Sequence, residues 1–211
     1  MKGLIISSGT INDYSLLEKL IDENDYIVCA DGGLDHLIKI DQIPNIILGD
    51  LDSISLFGIK YIEDKAIQVE KYPSIKDNTD SELAIMYLIE KGIKKITLIG
   101  GSGTRLDHTI ANIFLMKRFN KEDIELKIVD DNNIVNYVDD TFEIKRRQGW
   151  FISIIPLNFD GICVSLTGFR YPLYHKYIEF SSTLGVSNEL IDEIGKIEIH
   201  KGEALVFESL D

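Results

Sequence analysis

The chain has 211 residues, 45% hydrophobic and 27% charged, which suits one large domain or two small ones with ample material for a core. A net charge of −13 argues against a nucleic-acid backbone or an anionic membrane as partner; a cationic ligand, or an anionic one carried by a divalent metal, fits better. Cys29 and Cys163 form no CxxC pair or disulfide framework, no stretch is long enough to span a bilayer, and the apolar run in MKGLIISSGT is too short for a signal segment, so a reduced, soluble, cytoplasmic protein is expected.

Taken in chain order, KGLIIS predicts a strand and NDYSLLEKLIDE a helix, with Ser15 and Glu18 as its capping box. YIVCADGG predicts a second buried strand ending in a turn, LDHLIKI a short helix, NIILGD a third strand and KAIQVEK a fourth. SELAIMYLIEKG is a helix stopped by Gly92, KKITLIGG a strand, DHTIANIFLMKRF a helix, and ELKIVD closes the series. Strands alternating with helices imply a mostly parallel sheet covered on both faces. From residue 131 the texture changes to NIVNYV, TFEIKRR, WFISIIPL, GICVSLTGF, HKYIEF, KIEIHKG and EALVFES, short β-rich runs separated by Gly, Asn, Asp or Pro. The expected fold class is therefore α/β: a Rossmann-like, mostly parallel sheet domain over 1–130, then a small all-β sandwich over 131–211.

Ligands of open α/β sheets bind outside the carboxyl ends of the strands. Polar residues cluster at four such places here: Asp31 in ADGG, Asp50 and Asp52 in GDLDS, Lys76, Asp77, Thr79 and Asp80 in KDNTDSE, and the glycine-rich GGSGTRLDH with Arg105, Asp107 and His108. Asp50 and Asp52 stand two apart, so in an extended segment their side chains point the same way. A hard cation such as Mg²⁺ would offset their repulsion and use their oxygens as ligands. The glycines allow close backbone approach, the following helix offers free N–H groups to a phosphate, and Arg105 adds a donor fork. Each segment also has a plainer explanation. Asp31 suits a turn, Asp50 and Asp52 a solvated acidic loop, and Thr79 with Glu82 a capping box flanked by Asp77 and Asp80 at a positive helix end. Arg105, Asp107 and His108 suit a strand-to-helix turn. Capping does not explain why carboxylates recur at several strand ends of one sheet. In the second part, Ser187 and Asn188 of TLGVSNEL can shape a turn or hydrogen-bond a heterocycle; Trp150 reads as core, and GFRYPLYHKY as a surface hairpin.

Together, ADGGLDHL, ILGDLDSI, KDNTDSELAI and GGSGTRLDHTIANI, followed by ISIIPL, GICVSLTG and GVSNEL, resemble the ordered blocks of the thiamine pyrophosphokinase family over nearly the whole chain. The resemblance implies transfer of a diphosphate from ATP to the hydroxyethyl group of thiamine with release of AMP. It implies an ATP- and Mg²⁺-binding catalytic domain, a thiamine-binding β domain, and a homodimer with active sites between subunits. It makes Asp31, Asp50, Asp52 and Asp80 the Mg²⁺- and phosphate-handling carboxylates, with Asp50, Asp52 and Asp80 catalytic. Lys76, Asp77, Thr79, Arg105, Asp107, His108 and Asn112 fall on the nucleotide side, and Ser187 and Asn188 meet the thiamine pyrimidine. The chain departs from the family at Thr104, where a second glycine is frequent. Two other readings stand beside this one. A nucleotide-sugar glycosyltransferase also places an Asp-x-Asp after a strand but predicts neither KDNTDSE nor the all-β tail. A nucleotide-sensing module would bind Mg·ATP without turnover.

Overall fold

Apolar runs of four or five residues become most strands of the first unit, so short and so largely apolar that burial on both faces accounts for them. The computed structural model describes residues 1–51, 54–72, 77–120 and 123–211; the expected site residues Asp52 and Lys76 lie outside them. The chain divides into two units, Met1–Asp131 and Asn132–Asp211.

The first unit runs β1 (Lys2–Ile6), α1 (Tyr14–Asp22), β2 (Tyr26–Ala30), a 3₁₀ turn (Asp31–Gly33), α2 (Leu34–Lys39), β3 (Ile46–Gly49) and α3 (Leu56–Asp64). It continues with β4 (Val69–Lys71), α4 (Asp80–Glu90), β5 (Lys95–Ile99), α5 (Leu106–Asn120) and β6 (Glu125–Val129). The strands pair in parallel in the order β4-β3-β2-β1-β5-β6. Leu4, Ile5, Val28, Ile46, Ile47 and Leu98 are fully enclosed, each contributing about 1.5–3 kcal/mol of apolar burial. Cys29, at the heart of β2, is enclosed as well, and burial, followed by the nearby charges of Asp31 and Asp35, pushes its thiol pKa far up.

Local chemistry explains most helix ends. Asp13, not the expected Ser15–Glu18 box, caps α1: its Oδ1 accepts the Leu16 N–H at 3.1 Å. Ser15 sits one residue inside the helix, where its hydroxyl cannot serve the first turn. Thr79 caps α4 through the Glu82 N–H at 3.2 Å, but Glu82 does not complete the box, because its carboxylate pairs with Arg118 of α5. Gly92 ends α4 at φ 78°, and the Gly92 N–H to Ile89 O and Ile93 N–H to Leu88 O bonds form a Schellman turn. The helix α3 is an element that the apolar pattern did not predict. Ser55 caps it through the Gly58 N–H, while Leu56 and Phe57 stay exposed, so no amphipathic stripe marks it.

The second unit contains β7 (Asn133–Val138), β8 (Thr141–Lys145), β9 (Trp150–Pro156), β10 (Ile162–Thr167), β11 (Leu173–Ile178), β12 (Ile194–Lys201) and β13 (Ala204–Leu210). Antiparallel pairing gives the arrays β7-β13-β9 and β11-β10-β12-β8. Alternate residues of both arrays, among them Val138, Ile154, Val164, Ile197 and Val206, close on one core with Phe169, as a sandwich requires. Trp150, expected in that core, lies half-buried at the start of β9 with the Arg147 guanidinium 4.9 Å from its ring centroid. GFRYPLYHKY forms the turn and second strand of the β10–β11 hairpin, with Tyr171, Tyr174 and Tyr177 exposed.

Candidate active site

Strand order singles out one point on the sheet. β1, β2, β3 and β4 follow one another outward in one direction, after which the chain returns through α4 to place β5 on the other side of β1. Such a reversal leaves a crevice beyond the carboxyl ends of the two central strands, because their following segments diverge. A cavity of about 260 Å³ lies there, walled by Ser7, Ser8 and Gly9 after β1 and by residues 100–105 after β5, with Ser81, His108, Thr109 and Asn112. A smaller hollow of about 180 Å³, lined by Lys2, Lys95 and Glu125 among others, lies at the amino ends of the strands, where this fold does not bind ligands.

Backbone packing fixes the cavity walls. The Gly9 N–H donates to Gly100 O at 2.8 Å and the Thr10 N–H to Ser102 O at 3.2 Å, locking the two loops together. A side chain at Gly9 would stand 2.1 Å from Ser102 O, and one at Gly100, where φ is 68°, would stand 2.3 Å from Ser7 O. Only glycine permits that approach. Asn112, buried in α5, donates to Gly101 O at 2.7 Å, so it braces the glycine-rich loop as well as lining the cavity. Ser81 meets Ser7 Oγ at 3.0 Å, bringing the amino end of α4 to the cavity, and Thr109 does the same for α5. Both helix ends favour an anion. The SSGT segment after β1 was absent from the expected site; a glycine turn after the first strand of a βα unit is the signal that marks it.

The acidic residues lie along one side of this crevice. Asp31 follows β2 with φ 46°, and Asp50 follows β3. Gly49 precedes Asp50: a Cβ there would meet Asp31 Cβ at 3.2 Å and its Oδ1 at 3.4 Å, so the absent side chain leaves room for the Asp31 carboxylate. These are hard oxygen donors of the kind Mg²⁺ takes, and the donor set fits that ion. Asp80 opens α4, half-buried, one residue before the cavity-lining Ser81; Asp77 and Thr79 are exposed just before it. Among the described residues, no three His, Cys, Asp or Glu side chains stand close enough to form a metal cluster; Asp52 lies outside them.

Arg105 borders the cavity with its fork turned to Asp107, Nη2 to Oδ2 at 2.6 Å and Nε to Oδ1 at 3.2 Å. The pair is exposed, so it holds Asp107 below the usual carboxylate range at little cost to exchange for another anion. Thr104 and His108 are exposed cavity-lining residues. In the second unit Asn188 is buried. Its Oδ1 accepts from the N–H groups of Tyr171 and Glu189, and its Nδ2 donates to Tyr171 O at 2.9 Å. Ser187 beside it is exposed with φ 58°, its N–H bonded to Ser153 Oγ.

A doubly wound sheet with an anion-favouring crevice at its reversal point, acidic groups to one side, and an all-β unit after it has the layout of an α/β enzyme for phosphorylated ligands. Residues 17–128 match the family model for the thiamin pyrophosphokinase catalytic domain, and residues 140–204 match that for the thiamin pyrophosphokinase vitamin B1 binding domain. The chain is 33% identical over 209 residues to thiamine pyrophosphokinase of Bacillus subtilis, covering 98% of each chain. A crystal structure of that enzyme matches all of both chains with a TM-score of 0.89. The thiamin pyrophosphokinase structure from Geobacillus thermodenitrificans, 28% identical, covers 100% of this chain and 98% of its own, with a TM-score of 0.88. The chain belongs to the thiamin pyrophosphokinase family of enzymes.

Proposed function

We propose that this enzyme transfers the diphosphate of ATP to the hydroxyethyl group of thiamine, releasing AMP, by in-line attack of the alcohol on the β-phosphorus. The observation that carries this reading is the cavity at the β1/β5 reversal, lined by Ser81 and Thr109 from two helix amino ends, with Asp31 and Asp50 following the neighbouring strands β2 and β3. Such a reaction needs alignment and charge neutralisation more than covalent help. The loop walls and the first turns of α4 and α5 bind the triphosphate, and Arg105 turns from Asp107 to its oxygens, joined by Lys76. Asp31, Asp50 and Asp52 hold Mg²⁺, which when bound neutralises phosphate charge. Asp80 accepts the proton of the attacking hydroxyl. Ser187 and Asn188 serve the thiamine pyrimidine, Asn188 chiefly by shaping the segment, since its amide already makes three bonds to backbone. The net charge of −13 favours approach of cationic thiamine. The working unit is a cytoplasmic homodimer with active sites between subunits, a state sedimentation would check.

The test is product identification after incubation with Mg·ATP and thiamine. AMP with thiamine diphosphate supports the reading, and chelating the Mg²⁺ should stop turnover. ADP with thiamine monophosphate would make the protein a simple kinase, and nucleotide binding without either product would make it a sensor.

A further inference from the structure

His36 lies outside every assignment above, yet its ring is buried and bonded at both nitrogens. Nε2 is 2.8 Å from Gly9 O, and Nδ1 is 3.0 Å from the Tyr14 hydroxyl. A carbonyl can only accept, so Nε2 carries the proton, and the neutral ring accepts at Nδ1 from Tyr14. Lys39 Nζ, which can only donate, lies 2.8 Å from the same hydroxyl. The direction of every bond is thereby set: Lys39 to Tyr14, Tyr14 to His36, His36 to Gly9. Gly9 is a wall of the cavity and is held at its other end by Gly100 O. Further along, Asp131 takes the N–H groups of Asn12 and Asp13.

We propose that His36 is a positioning residue for the nucleotide: its Nε2–H clamps the Gly9 carbonyl and so holds the β1–α1 loop in the shape that receives the phosphates. This rests on the reading that the cavity binds ATP. A protonated ring would keep its Nε2–H on Gly9 O and lose only the bond at Nδ1, which would then face as a donor a phenol oxygen that already receives Lys39. Around the ring stand Tyr14 of α1, Lys39 and Asp35 of α2, and Asp131 after β6.

The experiment measures affinity of the full chain for a non-hydrolysable ATP analogue with Mg²⁺ by calorimetry, alongside KM for each substrate and kcat. His36→Leu should weaken analogue binding about tenfold, the effect of one lost hydrogen bond, with thiamine KM unchanged. His36→Gln, whose amide N–H reaches the same carbonyl, should stay within about twofold of wild type. Tyr14→Phe, which keeps the ring but frees its tautomer, should weaken binding less than His36→Leu and serves if that variant does not fold. Folded variants binding as well as wild type, or a Gln variant as weak as the Leu variant, would overturn the role of His36 alone. Failure of wild type itself to bind the analogue would overturn the cavity reading and this inference with it.

Discussion

The missing side chain of Gly49, the residue before Asp50, leaves room for the Asp31 carboxylate, and both aspartates lie outside the core, so their chemistry can be tested without disturbing it. Asp50→Asn preserves shape but removes a charge. It should lower kcat about a hundredfold or more if these oxygens hold the metal, with an unchanged melting temperature by circular dichroism. Retention of wild-type turnover at limiting Mg²⁺ would remove Asp50 from the site. Two other residues contribute to the response to acid. Burial lowers the His36 pKa, so folding favours the neutral ring. Its contribution is complete above the ordinary imidazole value of about 6.5 and is lost as pH falls through that value toward the lower folded one. Burial alone would raise Asp131, but bonds from the N–H groups of Asp13 and Asn12 outweigh it and lower the pKa. That contribution is present above about pH 3.9 and disappears as pH falls through the lower folded value. Urea midpoints should therefore decline in two separate acid windows, with His36→Gln abolishing the upper one.

At the scale of elements, caps and glycines carry the predictions. Thr79→Ala removes the side-chain acceptor at the start of α4 and should cost about 1 kcal/mol in chemical denaturation. Because α4 also presents Ser81 to the cavity, the same change should raise KM for ATP more than KM for thiamine. Gly9→Ala drives a methyl against two carbonyl oxygens, Ser102 O at 2.1 Å and Gly100 O at 2.3 Å. Backbone must move to admit it, which should cost about 1–3 kcal/mol and most of the nucleotide affinity. These elements also show what a sequence discloses. The central parallel strands were legible because burial on both faces writes itself as short runs rich in Val, Ile and Leu. The helix α3 was not, because it exposes Leu56 and Phe57 and buries little beyond Gly58. The carboxylates at the ends of β2 and β3 were visible as repeated Asp after apolar runs. His36 was invisible because it acts on a backbone carbonyl, and nothing in the identity of Gly9 announces which ring will reach it. Asn188 was legible as either a turn-shaping or a heterocycle-binding amide, and its bonds run to the backbone of Tyr171 and Glu189.

For the molecule as a whole, each unit has its own enclosed apolar residues, so damage to one core can be read against the other. Phe169 is 1% exposed amid the β-sandwich core, and Phe169→Ala should destabilise that unit by about 3–5 kcal/mol. Cys29 and Cys163 make the comparison possible, one thiol falling in each unit. A thiol reacts as its thiolate, and Cys29 is shut inside the central strands with its ionisation strongly opposed. Its alkylation therefore waits on rupture of the parallel array, while Cys163 in β10, only partly covered, can react without one. Timed labelling read by peptide mass would thus turn Cys29 into a clock for the opening of the first unit, with Cys163 as the reference for a thiol that needs no such opening.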